Sequence, residues 1–202
     1  MADIIVAGNT SGAITISAPL VAGSGVLTLP TGTDTLIGKA TTDTLTNKSI
    51  AATQLTGTIA ASALPAGSVL QVVQGTTATA VTNSTSTYAD TGLTASITPK
   101  FSTSKILVTV SHNGVYKQNN TYVAIQLLRG ASVIVSAFEA QGGYNNTATN
   151  ASSSSSISYL DSPATTSSTA YKTQFSSGSN IAAANINSSN STSTITLMEI
   201  AG

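Results

Sequence analysis

Apolar and polar side chains alternate with a period of two through much of the chain from about residue 67 onward. Ile106, Val108 and Val110 fall on one face of such a run, and Val123, Ile125 and Leu127 on one face of another. Tyr171 and Phe175 flank Thr173 in the same way, and Ile195 shares parity with Leu197. Successive side chains of a β-strand point to opposite faces, so this spacing describes strands with one buried side. Strands are expected over 68–74, 93–98, 105–112, 122–129, 133–137, 156–160, 170–176 and 193–200. They recur across turn-rich gaps, the pattern of an all-β sandwich, and helical spacing is absent throughout. The stretch from Gly142 to Ser156, dominated by Gly, Asn, Thr and Ser, is expected to be a long exposed loop.

Residues 1–66 have a different grammar. Ala13-Ile14-Thr15-Ile16-Ser17 alternates and is broken by Ala18-Pro19; Val26-Leu27-Thr28-Leu29 stops at Pro30; Asp34 to Gly38 follows another Gly-containing turn. Each phrase is too short to bury a core, and isolated short hairpins are marginal in water. Several copies wrapped together would bury these Ile, Leu and Val side chains. Two parts are therefore expected: an extended β stalk or arm over 1–66 that needs partners, and a β-sandwich over 67–202.

Charge removes whole classes of function. Seven acidic residues balance seven basic ones, so there is no field to recruit nucleic acid or an acidic membrane. The bases Lys39, Lys48, Lys100, Lys105, Lys117, Arg129 and Lys172 are scattered singly. Cysteine is absent, which excludes disulfides and thiolate metal sites. The first residues lack the basic and apolar regions of a signal peptide, and no stretch nears the roughly 18–20 apolar residues that cross a bilayer. Ser and Thr together supply roughly a third of the chain, a polar bias that would suit disorder were it not for the strand alternation.

Few side chains remain for chemistry. His112 is the only histidine. It continues the Ile106, Val108, Val110 face and is expected to be a satisfied histidine at a strand end or subunit seam. No Gly-x-Ser-x-Gly elbow supplies a nucleophile for it. Of the acids, Asp161 precedes Ser162-Pro163, where an Asx-type turn accounts for it. Glu199 shares parity with Ile195 and Leu197; if it faces an interior or a threefold seam, it needs a basic partner such as Arg129 or a lysine, and otherwise it is an exposed strand end. Gly23-Ser24-Gly25 is a turn, without the helix and acid of a dinucleotide site. No catalytic, cofactor or metal site is expected.

Three passages resemble tailed-bacteriophage virion proteins. The first is Ala13 to Pro19 with its sequel Gly25-Val26-Leu27-Thr28-Leu29-Pro30, similar to repeated N-terminal phrases of phage fibre proteins. The second runs from Asp34-Thr35-Leu36-Ile37-Gly38 to Asp43-Thr44-Leu45-Thr46-Asn47-Lys48-Ser49-Ile50 and resembles a phrase of fibres and other virion structural proteins. The third comprises Ser102 to Val108, Leu127-Leu128-Arg129-Gly130, Leu160-Asp161-Ser162-Pro163 and Ile195 to Ile200, similar to C-terminal domains of viral fibre-like proteins.

The resemblance implies a compact jelly-roll-like sandwich that associates as a homotrimer. It also implies a non-enzymatic structural role at the virion surface, after synthesis in the host bacterial cytoplasm. Residues 1–66 would attach to phage capsid or tail proteins and 67–202 would form an outward knob. Even fully extended, 66 residues reach only about 220 Å, which favours a short surface fibre or a capsid-decorating cement protein over a long tail fibre. The alternative is a tail-fibre receptor-binding protein that contacts a host surface glycan or protein. Its contact residues are expected in loops, at Lys117, Asn119, Asn120, Tyr144, Asn145 and Asn146, because loops carry recognition on rigid β scaffolds.

Overall fold

All eight runs expected as strands from their alternation are strands, and most of them run longer than the alternation alone suggests. A computed structural model of the chain describes residues 4–7, 13–16, 49, 57–119, 121–140, 150–178 and 182–202. It divides into two compact units, Met1–Thr56 and Gly57–Gly202, whereas the division was expected at 66/67. In the first unit β1 (Ile4–Ala7) pairs antiparallel with β2 (Ala13–Ile16), Ile4 opposite Ile16 and Ala7 opposite Ala13. The phrases at Val26–Leu29 and Asp34–Gly38, and with them most of the expected stalk, lie outside the described residues.

The second unit holds β3 (Val69–Thr77), β4 (Val81–Asn83), β5 (Ala89–Ile97), β6 (Lys105–Lys117) and β7 (Val123–Arg129). It continues with β8 (Ser132–Ala140), β9 (Ala151–Asp161), β10 (Thr169–Ser177), β11 (Ala184–Ile186) and β12 (Ser193–Ile200). Strand β9 claims the last part of the expected 142–156 loop. Its serines alternate between half-buried and exposed positions, so polarity hid a strand there. The short β4 and β11 escaped the sequence reading because three residues carry too little periodicity.

Two antiparallel sheets form a sandwich. One is ordered β5-β10-β7-β8; the other is β3-β12-β6 with β9 on the free side of β6, and β11-β4 continues past the end of β12. Counting only the eight long strands among the described residues, the sheets read first-eighth-third-sixth and second-seventh-fourth-fifth. That is the strand order of a jelly roll, in which all sheet neighbours except the β7-β8 hairpin are distant in sequence.

The inner faces follow the predicted parity. Ile106, Val108, Val110, Val123, Ile125, Leu127, Tyr171, Ile195 and Leu197 are all fully buried. They fall into two clusters. The larger holds Leu93, Ile97, Ile106, Val108, Val110, Leu127, Tyr171, Ile195 and Leu197; the smaller holds Val115, Val123, Ile125, Phe175, Ala184 and Ile186. Between Val110 and Val115 on β6 comes His112; between Tyr171 and Phe175 on β10 comes Thr173. The core is thus two apolar layers separated by a polar belt.

Gly75 marks where β3 crosses over β5. A Cβ at this position would lie 2.0 Å from the Thr94 carbonyl oxygen. Two backbones meet there, and no side-chain rotation relieves the clash. Gly75→Ala is expected to destabilise the fold by about 2 kcal/mol, lowering Tm by roughly 4–8 °C in a thermal melt.

Candidate functional site

His112 sits inside β6, which runs on to Lys117, so it is neither at a strand end nor on the surface. Its Nδ1 lies 3.3 Å from Ser193 Oγ and its Nε2 lies 2.9 Å from Thr173 Oγ1. The hydroxyl of Ser193 donates to Asn187 Oδ1, so toward His112 it accepts. That assigns the imidazole proton to Nδ1 and makes Nε2 the acceptor for Thr173. Thr173 Oγ1 in turn lies 2.6 Å from Thr91 Oγ1, and Asn187 Nδ2 donates to the Thr79 carbonyl. The chain of hydrogen bonds crosses the sandwich from one sheet to the other. Burial lowers the His112 pKa to about 4, so the ring is neutral at pH 7.

The contact between Ser193 and His112 has the partners of a nucleophile and a base, but not their arrangement. Ser193 directs its proton away from the imidazole, and both side chains are fully buried. A general base must reach the proton it removes. The belt joins sheets; it does not present a reactive oxygen.

Glu199 is also fully buried, on the inner face of β12. Its partners correct the expectation of a basic neighbour, because they are neutral. Ser104 Oγ and the Lys100 backbone N–H each donate to Oε1 at 2.7 Å, and Gln71 Nε2 donates to Oε2. Burial by itself would raise this carboxyl. The donors from Gln71, Ser104 and the Lys100 and Phe101 backbones outweigh it and hold the pKa below the ordinary 4.5.

Arg129 is engaged elsewhere. Its Nη1 donates to both oxygens of Asp161 at 2.9 Å, and Tyr171 Oη donates to Asp161 Oδ2 at 2.7 Å. Asp161 therefore serves as the buried tie between β9, β7 and β10 rather than as the cap of a turn. Burial, then the Asp161 carboxylate, push the Tyr171 hydroxyl well above its ordinary range.

Of the expected receptor-contact residues, Lys117 is fully buried, with its ammonium donating to the Asn119 carbonyl at 3.1 Å. It holds the end of β6 instead of displaying a charge. Asn119 is exposed, with φ 46°, and its N–H is tied to Asn150 Oδ1. Asn120, Tyr144, Asn145 and Asn146 lie outside the described residues.

On the four-stranded sheet, three residues of β5 (91–93) stand opposite Thr173 alone, a bulge with Gly92 at φ 81°. A depression of about 130 Å³ opens there, lined by Asp90, Gly92, Leu93, Thr94, Lys172 and Thr173. Its charged groups satisfy each other: Lys172 Nζ lies 2.9 Å from Asp90 Oδ1, and Gln174 donates to the same oxygen. Lys172, then Gln174, hold the Asp90 carboxyl below its ordinary range. Among the described residues no group of three His, Asp or Glu side chains converges as a metal site would require.

The outer face of the β3-β12-β6-β9 sheet is of a different kind. Register places Val72, Met198, Leu107 and Leu160 side by side across all four strands. The next row is Gln74, Thr196, Thr109 and Ser158, and the one beyond it Thr76, Thr194, Ser111 and Ser156. Hydroxyl and amide groups link the first polar row, Gln74 to Thr196 at 3.0 Å and Thr109 to Ser158 at 3.4 Å. Val72 and Leu160 are 56% and 50% exposed. No single strand shows this row, because each contributes one residue to it.

No protein-family model matches the sequence, and no curated protein matches it significantly.

Proposed function

We propose that this chain is a non-enzymatic structural protein of a tailed-phage virion. It is a homotrimeric short surface fibre or capsid-decorating protein, attached through its N-terminal half and displaying the jelly roll outward. The observation that carries this reading is the use to which the sandwich puts its polar groups. His112, Glu199, Asp161, Arg129 and Lys117 all make hydrogen bonds within the fold, and the broad β3-β12-β6-β9 face offers hydroxyls, amides and an apolar row. Such a surface binds by burial and hydrogen bonding, which suits a protein repeated many times over a particle. The phage-like phrases of residues 13–50 support attachment through that half.

The test is the particle. Virions lacking this protein are expected to lose infectivity faster than complete virions on heating and at low salt. Imaging of complete virions is expected to show its density on the icosahedral shell. Density confined to the tail, with unchanged capsid stability, would replace decoration by adhesion.

A further inference from the structure

We infer that the apolar row on the outer face of the β3-β12-β6-β9 sheet is the surface by which one knob packs against a second copy of this chain. The inference rests on the homotrimer reading and goes beyond it by naming the face. Val72, Met198, Leu107 and Leu160 form a continuous line from one edge of the four strands to the other. Val69, 52% exposed and opposite Ile200 in register, widens it toward one end of the sheet. With strands about 4.8 Å apart, four of them give a face about 19 Å wide.

Three properties of this face select a second copy over an unrelated partner. The first is charge. Lys105, opposite Ile200 at one corner, is the charged side chain that the described strands direct outward there, while Glu199 and Asp161 on the same strands point inward. Three copies of the face can therefore surround a threefold axis without the repulsion that penalises self-association of charged surfaces.

The second property is the edges. The outermost strands β3 and β9 are nine and eleven residues long. Neither has a proline or lysine, and Asp161 at the end of β9 is their one charge. Solvent-facing edge strands are ordinarily blunted by such residues, so these edges suit a covered position.

The third is area. Nine residues at about 3.3 Å each make the face roughly 30 Å tall, so its flat footprint is on the order of 600 Å². Stable interfaces bury about 800 Å² per partner, so the flat face supplies about three-quarters of that area, and its side-chain relief and two edges add to it.

Native cysteine is absent, which permits a direct test on the full chain. Leu160→Cys and Met198→Cys place one thiol each on the face. Val133→Cys places one on the other sheet, where Val133 is 47% exposed, nearly the same as Leu160. Sedimentation equilibrium establishes the assembly, and maleimide labelling reads the exposure of each thiol within it. The expected result is an oligomer in which the thiol of Leu160→Cys reacts at least about tenfold more slowly than that of Val133→Cys. The same comparison in mild denaturant, after dissociation, should abolish the difference. An oligomer whose Leu160→Cys thiol reacts as fast as the control overturns the face and leaves the homotrimer reading standing. A monomeric full chain overturns both.

Discussion

Glu199→Ala is expected to destabilise the sandwich by about 4 kcal/mol, because it strands the Ser104 hydroxyl and the Lys100 backbone N–H that donate to its carboxylate. Ser104 is 1% exposed, and both its hydroxyl and the Lys100 backbone N–H point at Glu199 Oε1. Each buried donor left without a partner costs about 1–3 kcal/mol, and the loss of side-chain volume adds to it. Glu199→Leu separates the two effects. It fills the space but accepts nothing, so it should be nearly as harmful as alanine. Glu199→Gln keeps one acceptor oxygen and turns an amide NH₂ against the remaining donors, for an expected cost of about half. Urea unfolding at pH 7 measures all three. A glutamine variant as stable as the parent would mean that charge and acceptor count do not matter at this position.

Acid should weaken the fold well before its carboxylates titrate. His112 has a folded pKa near 4, against an ordinary value of 6.5, because the buried ring resists charge. As pH falls below 6.5, the unfolded chain takes up a proton that the folded chain refuses until about pH 4. The unfolded state therefore binds more protons across that window, and stability falls with pH. The full loss is about 3 kcal/mol, of which about 2.5 kcal/mol is gone by pH 4.5.

The carboxylates act lower. Glu199 and Asp90 have folded pKa values below their ordinary 4.5 and 3.8, so their contribution is intact above those values and is lost on further acidification. Unfolding midpoints at pH 7.5, 6.5 and 5.5, all above the ordinary values of these two carboxyls, read the histidine apart from them. Parent protein should lose stability steadily over this range, and His112→Gln, whatever its baseline, should be flat. Equal slopes for the two proteins would remove His112 as the cause.

Much of this architecture is legible in the residues. Strand β12 could be bounded correctly from Ser193 to Ile200, and the inward sides of β6, β7 and β10 were plain from Ile106, Val123 and Tyr171. The polar belt had a signal too: Thr173 and His112 occupy inward parity among apolar neighbours, where a polar group must find a partner. Ser193 and Asn187 had none, since a serine beginning a strand and an asparagine beyond β11 look like ordinary turn chemistry. Strand β9 was half missed for a related reason. Its run of serines lacks the apolar side chains that reveal alternation, and its pairing with β6 supplies the order instead.

The sequence alone determined that the second unit is all-β and which apolar side chains of β6, β7, β10 and β12 lie inside it. Alternation is a local property, set by the geometry of an extended backbone and visible within one strand. Tertiary structure alone decided the strand order, the neutral donors around Glu199, the pairing of Arg129 with Asp161, the enclosure of Lys117 and the row from Val72 to Leu160. Each of these depends on register between strands that are remote along the chain. A partner 128 residues away, as Gln71 is from Glu199, leaves no trace in the spacing of either segment.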